Sequence, residues 1–412
     1  MPPTPPLLTT LEVARILGVR PATVYAYVSR GLLSSHRNAS GKGSLFDRAE
    51  VDMFLAARKQ PTVPGIQTGI TLIRGGKLLY RGHDAIQLAS VASFEEIVSL
   101  LWTGERAYVD LPSDDTQRRL AEAVAAPLPA IARHTDRLRV AVAALAASDP
   151  LRFDTTPAAV TSTARALIGT MVDALPRATR RAGRATGPKS RKAVPTAPVA
   201  QRLWPRLTTR DATPGDHNVL NAALVLLADH DIAASTLAAR VAASTRAHPY
   251  SVVGAGLAAL DGPLHGAASG LAYPLLAESM SRPDPIGTIA DKLRSGEPIP
   301  GFGHRLYPDG DPRATALLDI MGDTRARSAA ERLAEIMRTR SGLRPNIDIA
   351  LAALTLEYDM PAEAGETVFA IARTAGWIAH ALEEYNDRPL RFRPSGEYVT
   401  PAPAESGNGK ER

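Results

Sequence analysis

Cysteine is absent from the 412 residues, which removes disulfides, thiolate zinc sites, iron–sulfur clusters and cysteine nucleophiles together. A reducing compartment fits. Long apolar runs are missing too: Val140 to Ala147 is among the longest, far short of the ~18 residues a membrane span needs. Met1 to Pro6 (MPPTPP) has neither the basic start nor the apolar stretch of a secretory leader, so the chain is expected in the cytoplasm with no membrane partner. Strand signals are scarce and no internal repeat is found. What remains is a globular composition, 45% hydrophobic and 22% charged, with length for two to three domains.

Acid is missing from one stretch in particular. Residues 174–210 carry ten Lys/Arg and no Asp or Glu, and residues 1–60 carry eight against four. The formal +6 of the whole chain therefore hides an acidic remainder. Two local basic segments are the places that would meet a polyanion. The first is read as a compact module over 1–60, and 174–210 as a basic, mobile excursion.

Within 1–60, Thr9-Thr10-Leu11-Glu12 has the form of a capping box. Val13, Ile16 and Leu17 follow at helical spacing, and Gly18 is a natural stop. Pro21 suits the first turn of a second helix carrying Val24, Tyr27 and Val28, ended by Gly31. The polar stretch from Ser34 to Ser44 is read as a wing, with a last helix on Val51, Phe54 and Leu55. The stretch TTLEVARILGVRPATVYAYVSRGLL resembles the small winged helix-turn-helix domains of excisionase-like and mercury-resistance-type regulators. That resemblance implies DNA as a partner, with Arg20, Thr23, Tyr25 and Arg30 on the second helix and His36, Arg37 and Lys42 in the wing. A docking module with a solvated basic face fits the same residues.

Gln60 to Pro64 is Pro-rich and aperiodic, so 61–65 is read as a linker and a second domain begins near 66. A short hairpin over Ile70 to Tyr80 is expected first. Helical spacing then dominates, as in Phe94 to Trp102, Thr116 to Ala126, Val219 to Ala242 and Glu366 to Glu384, which places the domain in the all-α class.

Two Gly-rich breaks each hold a histidine, Asp261-Gly262-Pro263-Leu264-His265-Gly266 and Gly301-Phe302-Gly303-His304-Arg305. Either histidine alone fits a satisfied structural group equally well. Arg344-Pro345-Asn346-Ile347-Asp348 puts an acid at a helix start, where it would serve as a cap or as a functional carboxylate. His265, His304 and Asp348 lie 39 and 44 residues apart with no local histidine pair, which argues against a metal site.

GPLHG, GFGHRLYPDGDPRA, RPNIDIALAAL and ARTAGWIAHALEEYNDRPLRFRP, in this order and spacing, are similar to the motifs of the citrate synthase family. The likeness runs over about residues 66–400. It implies large and small helical domains, the small one inserted at about 268–370, with a disordered tail at 401–412. It also implies condensation of acetyl-CoA, a co-substrate with no other cofactor, with oxaloacetate. In that pattern Asp348 is the base, His265 stabilises the enolate, and His304 polarises and protonates the ketone. His230, Arg313 and Arg373 hold oxaloacetate with Arg393 from a neighbouring subunit, so a homodimer or larger assembly shares its sites. Such arginines suit a dicarboxylate because a guanidinium offers two parallel N–H donors.

The chain departs from the family pattern at Leu227, at Ala233, at Ala267-Ala268-Ser269 and at Pro308. Two other readings follow: a 2-methylcitrate synthase using propionyl-CoA, since one methylene is worth only ~1–3 kcal/mol of discrimination, and a metabolite-sensing DNA-binding regulator.

Overall fold

In the computed structural model, the described residues are 7–392 apart from 18, 30–32, 38–43, 49, 53, 55–65, 180–196, 283–284 and 296–298. The chain divides into two compact units, Met1–Gln67 and Thr68–Arg412.

The first unit opens with β1 (Leu7–Thr9), α1 (Thr10–Leu17) and α2 (Pro21–Ser29), followed by β2 (His36–Arg37) and β3 (Ser44–Asp47). The expected capping box is present. Glu12 accepts from the Thr9 backbone at 2.7 Å, and Thr9 Oγ1 accepts in turn from the Glu12 backbone at 3.4 Å. The strands form an antiparallel sheet in the order β1-β3-β2, with Leu8 opposite Phe46. Leu8, Val13, Leu17, Val24, Phe46 and Val51 close a small core beneath the two helices, and Tyr27 packs on Phe54 with ring centroids 5.1 Å apart.

The second unit starts with a meander, β4 (Thr71–Arg74), β5 (Lys77–Tyr80) and β6 (His83–Asp84), its first turn made by Gly75 and Gly76 at positive φ. Helices follow: α3 (Ala85–Val91), α4 (Phe94–Thr103), α5 (Asp115–Ala125), α6 (His134–Ser148) and α7 (Pro157–Asp173). After the stretch 180–196 come α8 (Val199–Leu207), α9 (Pro214–Leu227), α10 (Ala234–Ser244) and α11 (Pro249–Leu260), and then α12 (Ala268–Ser281) and α13 (Pro285–Ser295). The last four are α14 (Pro312–Ile320), α15 (Arg325–Ser341), α16 (Ile347–Glu357) and α17 (Ala364–Asn386). Among the described residues no helix is long and apolar enough to cross a membrane.

The centre is α17, buried along nearly its whole length and packed by α4, α7, α9, α10 and α11. Trp377 at its middle is fully buried; Gly256 of α11 makes room for it, since a Cβ there would come within 2.5 Å of the indole. Of the polar side chains of α17, Glu366, Arg373, His380 and Glu384 are buried with the apolar ones.

Two expectations need correction. Helical spacing over Val219 to Ala242 implied one helix, but the chain breaks between α9 and α10, with Asp231 at φ 51°. At the break the Tyr80 hydroxyl lies 3.0 Å from the Val225 and Asp229 carbonyls, so a side chain from a distant strand brings its one O–H to the carbonyls that cluster there. The basic stretch 174–210 is also not all excursion. Its residues 199–207 are α8, and Arg202 is buried, paired with Asp173 at 2.8 Å and donating to the Leu111 and Gly169 carbonyls. A charge without acid nearby in sequence found one in space.

Candidate active site

Asp311 organises one wall. Its buried carboxylate caps α14 by accepting from the Arg313 backbone at 3.0 Å, grips the Arg313 side chain at Nε (3.0 Å) and Nη2 (2.8 Å), and accepts from the Ile347 backbone at 3.1 Å. One acid thus joins the start of α14 to the start of α16. It also takes the Nε edge of Arg313, so that guanidinium offers a ligand one remaining edge rather than the free fork expected of it. The loop bearing His304 is stitched to the same place: Gly303 N donates to Arg344 O at 2.7 Å, and Asn346 Nδ2 donates to Gly303 O at 3.0 Å. Gly301 must lack a side chain, because at φ 87° a Cβ would stand 2.9 Å from Ile349.

Asp348 is not the cap of α16. Asn346 fills that role, accepting from the Asp348 backbone at 3.0 Å, and leaves the Asp348 carboxyl without a hydrogen bond among the described residues. Asp348 keeps part of its surface on the cleft, yet protein encloses the carboxyl so closely that loss of water pushes it up to about 7, against the pull of Arg313. His304 follows Gly303 in the loop tied to the start of α16. Burial and Arg313 hold its pKa below the ordinary value, and its Nδ1 accepts from the Leu306 backbone at 3.1 Å, leaving the ring proton on Nε2.

The other wall comes from α10, α11 and α17. His265 lies in the turn after α11, its Nε2 2.7 Å from Ser235 Oγ. That oxygen also accepts from Trp377 Nε1 at 3.3 Å. Among the described residues His265 Nε2 is the one acceptor within reach of the Ser235 hydrogen, and accepting it places the ring proton on Nδ1. Burial, with Arg373 nearby, takes His265 down to about 4, so it is neutral at physiological pH.

Arg373 is 1% exposed; its Nε donates to Leu227 O at 2.8 Å, while Nη1 and Nη2 are buried with no partner among the described residues. Burial lowers its pKa to about 10, which still leaves it charged. Phe369 lies under the guanidinium at 4.6 Å and meets His265 edge-on at 5.6 Å. Two unpaired buried N–H groups side by side are costly unless something arrives to accept them.

His230, at the break between α9 and α10, stands between the walls. Its ring is 5.3 Å from that of His304 and 5.5 Å from that of Tyr307, and Nε2 is 3.1 Å from Tyr307 Oη. Burial and then Arg313, Arg373 and the two other histidines push its pKa well down. The preceding Asp229 is buried, holding Thr71 Oγ1 and, at 3.2 Å, His380 Nε2. His380 is backed by Arg240, which pairs with Glu383 and Glu384. The arrangement is an electropositive cleft, with neutral imidazoles as donors and one basic carboxylate. It suits a small polyanion and a weak carbon acid.

The structure thus gathers His230, His265, His304, Arg313, Asp348 and Arg373; Arg393 lies outside the described residues. Of the departures, Leu227 is buried and lends its carbonyl to Arg373, Ala233 caps α10 without a side-chain hydrogen bond, Ser269 Oγ is buried and has no partner among the described residues, and Pro308 is exposed. Sequence reasoning overlooked Ser235, Phe369, Tyr307, Asp229 and Asp311. Tyr307 and Asp311 sat inside a quoted motif, but only their contacts distinguish them. In the first unit, Arg20 and Tyr25 are exposed, Thr23 is half-buried, His36 is exposed and Arg37 lies on β2, while Arg30 and Lys42 fall outside the described residues.

The family model described as the citrate synthase C-terminal domain matches residues 61–395, and a helix-turn-helix domain model matches residues 7–59. Citrate synthase 2 of Bacillus subtilis is 30% identical over 370 residues, spanning 84% of this chain and 96% of that protein. A 2-methylcitrate synthase of Corynebacterium glutamicum is 29% identical over 338 residues, spanning 78% and 88%. The ternary complex of carboxymethyl coenzyme A and oxaloacetate with citrate synthase from Thermoplasma acidophilum superposes with a TM-score of 0.66 at 25% identity, covering 85% of this chain and 97% of that one.

Proposed function

The chain belongs to the citrate synthase family and is an enzyme of that type, and from that premise we propose that it condenses acetyl-CoA with oxaloacetate to give citrate and CoA. The observation that carries the proposal is Arg373, a buried guanidinium with Nη1 and Nη2 unpaired, in a cleft that also holds a carboxyl at about 7.

Asp348, once ionised, takes a proton from the acetyl methyl group. A base whose pKa lies near the working pH is suited to this. Negative charge then develops on the thioester oxygen, toward which His265 presents an Nδ1–H in a poorly solvated setting. The enolate carbon attacks the ketone carbon of oxaloacetate, and the ketone oxygen takes the proton from His304 Nε2. Water hydrolyses the resulting thioester to release CoA. Arg373 grips one oxaloacetate carboxylate with two N–H groups, Arg313 adds the edge that Asp311 leaves it, and His230 and the Arg393 of a second subunit complete the set.

We further propose that the active form is a cytoplasmic homodimer or larger assembly, because each site needs Arg393 from its neighbour. Release of free thiol from acetyl-CoA, with and without oxaloacetate and again with propionyl-CoA, tests the chemistry and separates citrate from 2-methylcitrate formation. Thiol release that ignores oxaloacetate sinks the proposal.

The helix-turn-helix unit supports a second activity, duplex DNA binding through α2 and the β2–β3 hairpin, with the synthase domain as metabolite sensor. Exposed Arg20, just before α2, and exposed Tyr25 on it favour it. Affinity for duplex DNA is expected to fall log-linearly with salt; no binding at ~50 mM salt would leave a docking role instead. Deleting residues 1–60 leaves catalysis unchanged under either outcome.

A further inference from the structure

We propose that Tyr307 sets the tautomer of His230 and so makes that histidine a hydrogen-bond donor to the bound dicarboxylate. The second half of the statement rests on the synthase reading above; the first rests on the geometry and burial of the pair.

Tyr307 is 2% exposed, and the only hydrogen-bond partner of its hydroxyl among the described residues is His230 Nε2, at 3.1 Å. Two arrangements are available. If Nε2 carried the proton and donated, the Tyr307 hydrogen would be buried with nothing to accept it, which costs the desolvation of an O–H group. If the hydroxyl donates, both groups are satisfied. Nε2 is then the acceptor and a neutral ring must hold its proton on Nδ1.

The surroundings keep the ring neutral. His230 is deep in the protein and faces Arg313, Arg373, His304 and His265, and among the described residues no carboxylate is hydrogen-bonded to it. The tyrosine stays protonated as well, since burial raises it to about 12. His230 Nδ1 has no partner among the described residues and is not sealed from solvent, so its hydrogen is offered to the cleft. The opposite tautomer would aim a lone pair at an incoming anion, beside two arginines placed to attract it. Tyr307 therefore acts as a positioning residue through His230 rather than on the reacting atoms. Its ring also packs against His304, with centroids 4.9 Å apart, so removal of the oxygen alone is the informative change.

The test uses the full-length protein labelled with ¹⁵N-histidine, the His230 signals being assigned by their loss in His230→Gln. In the substrate-free wild type, Nδ1 is expected to be protonated and Nε2 not; in Tyr307→Phe the population shifts toward the Nε2–H form. A wild-type ring protonated on Nε2, or a tautomer indifferent to Tyr307→Phe, overturns the proposal. Calorimetry with oxaloacetate then reads the consequence. Tyr307→Phe and His230→Gln each weaken binding about tenfold, as loss of a hydrogen bond to a charged acceptor commonly does, and the double variant binds no worse than His230→Gln. Fully additive losses would show that Tyr307 acts elsewhere. Wild type that binds no oxaloacetate removes the dicarboxylate clause and the synthase reading, while the tautomer result still decides what Tyr307 does.

Discussion

Replacing Asp348 by Asn is expected to abolish turnover and, at the same time, to stabilise the protein in a pH-dependent way. The carboxyl moves from 3.8 in the unfolded chain to about 7 in the folded one, mainly by loss of water. The folded state therefore binds the proton more tightly, and between those two values each pH unit costs the wild type about 1.36 kcal/mol that the amide does not lose. The sign follows: the contribution is neutral below pH 3.8, grows unfavourable as pH rises, and reaches its ceiling of about 4 kcal/mol above pH 7. Against the wild type, Asp348→Asn should gain about 2 kcal/mol at pH 5 and up to about 4 at pH 8. All three tryptophans, Trp102, Trp204 and Trp377, lie in the second unit, so urea unfolding followed by their fluorescence reports on that unit alone. A stability difference that stays flat between pH 5 and pH 8 would refute the burial argument. Turnover supplies the other half. Loss of a general base costs ~10²–10⁴-fold, and wild-type kcat/KM should fall about tenfold per unit below pH 7 as the base is protonated.

Arg373→Leu is expected to weaken oxaloacetate binding at least tenfold by calorimetry with no fall in the urea midpoint, because the guanidinium it removes has two buried N–H groups without partners. A large loss of stability would mean that Arg373 is structural. Gly256→Ala should destabilise the second unit by about 1–3 kcal/mol and shift tryptophan emission, since the added Cβ falls 2.5 Å from Trp377; an unchanged protein would show that α11 and α17 have slack. Subunits bearing Asp348→Asn, mixed after unfolding with subunits bearing Arg393→Ala, should regain about a quarter of wild-type activity, because half of randomly paired dimers are mixed and each has one intact site. No recovery from demonstrably mixed dimers would place Arg393 within its own chain.

Some of this architecture is written locally and needs no tertiary information. Thr9 and Glu12 bracket α1 because a hydroxyl and a carboxylate three residues apart satisfy each other's backbone N–H groups. Pro21 starts α2, and Gly75 and Gly76 turn the β4–β5 hairpin, for reasons internal to those residues. The glycine-flanked histidines and Asp348 were equally visible, because polar residues among helix breakers stand out in an Ala/Leu-rich chain.

Tertiary structure alone decided what those residues are. Nothing between Val219 and Ala242 breaks a helix by composition, for the segment holds neither proline nor glycine. At the break Tyr80, about 150 residues earlier, brings an O–H donor to the Val225 and Asp229 carbonyls, and it is the break that places His230 in the cleft. Arg313 and Arg373 look alike in sequence, but Asp311 occupies one guanidinium edge of the first while the second is left with two unpaired N–H groups. Spacing could place an aspartate near residue 348; only the protein enclosing its carboxyl makes it a base near pH 7. Hydrogen-bond satisfaction and desolvation are properties of what surrounds a group in space, and a chain brings those surroundings together only when it folds.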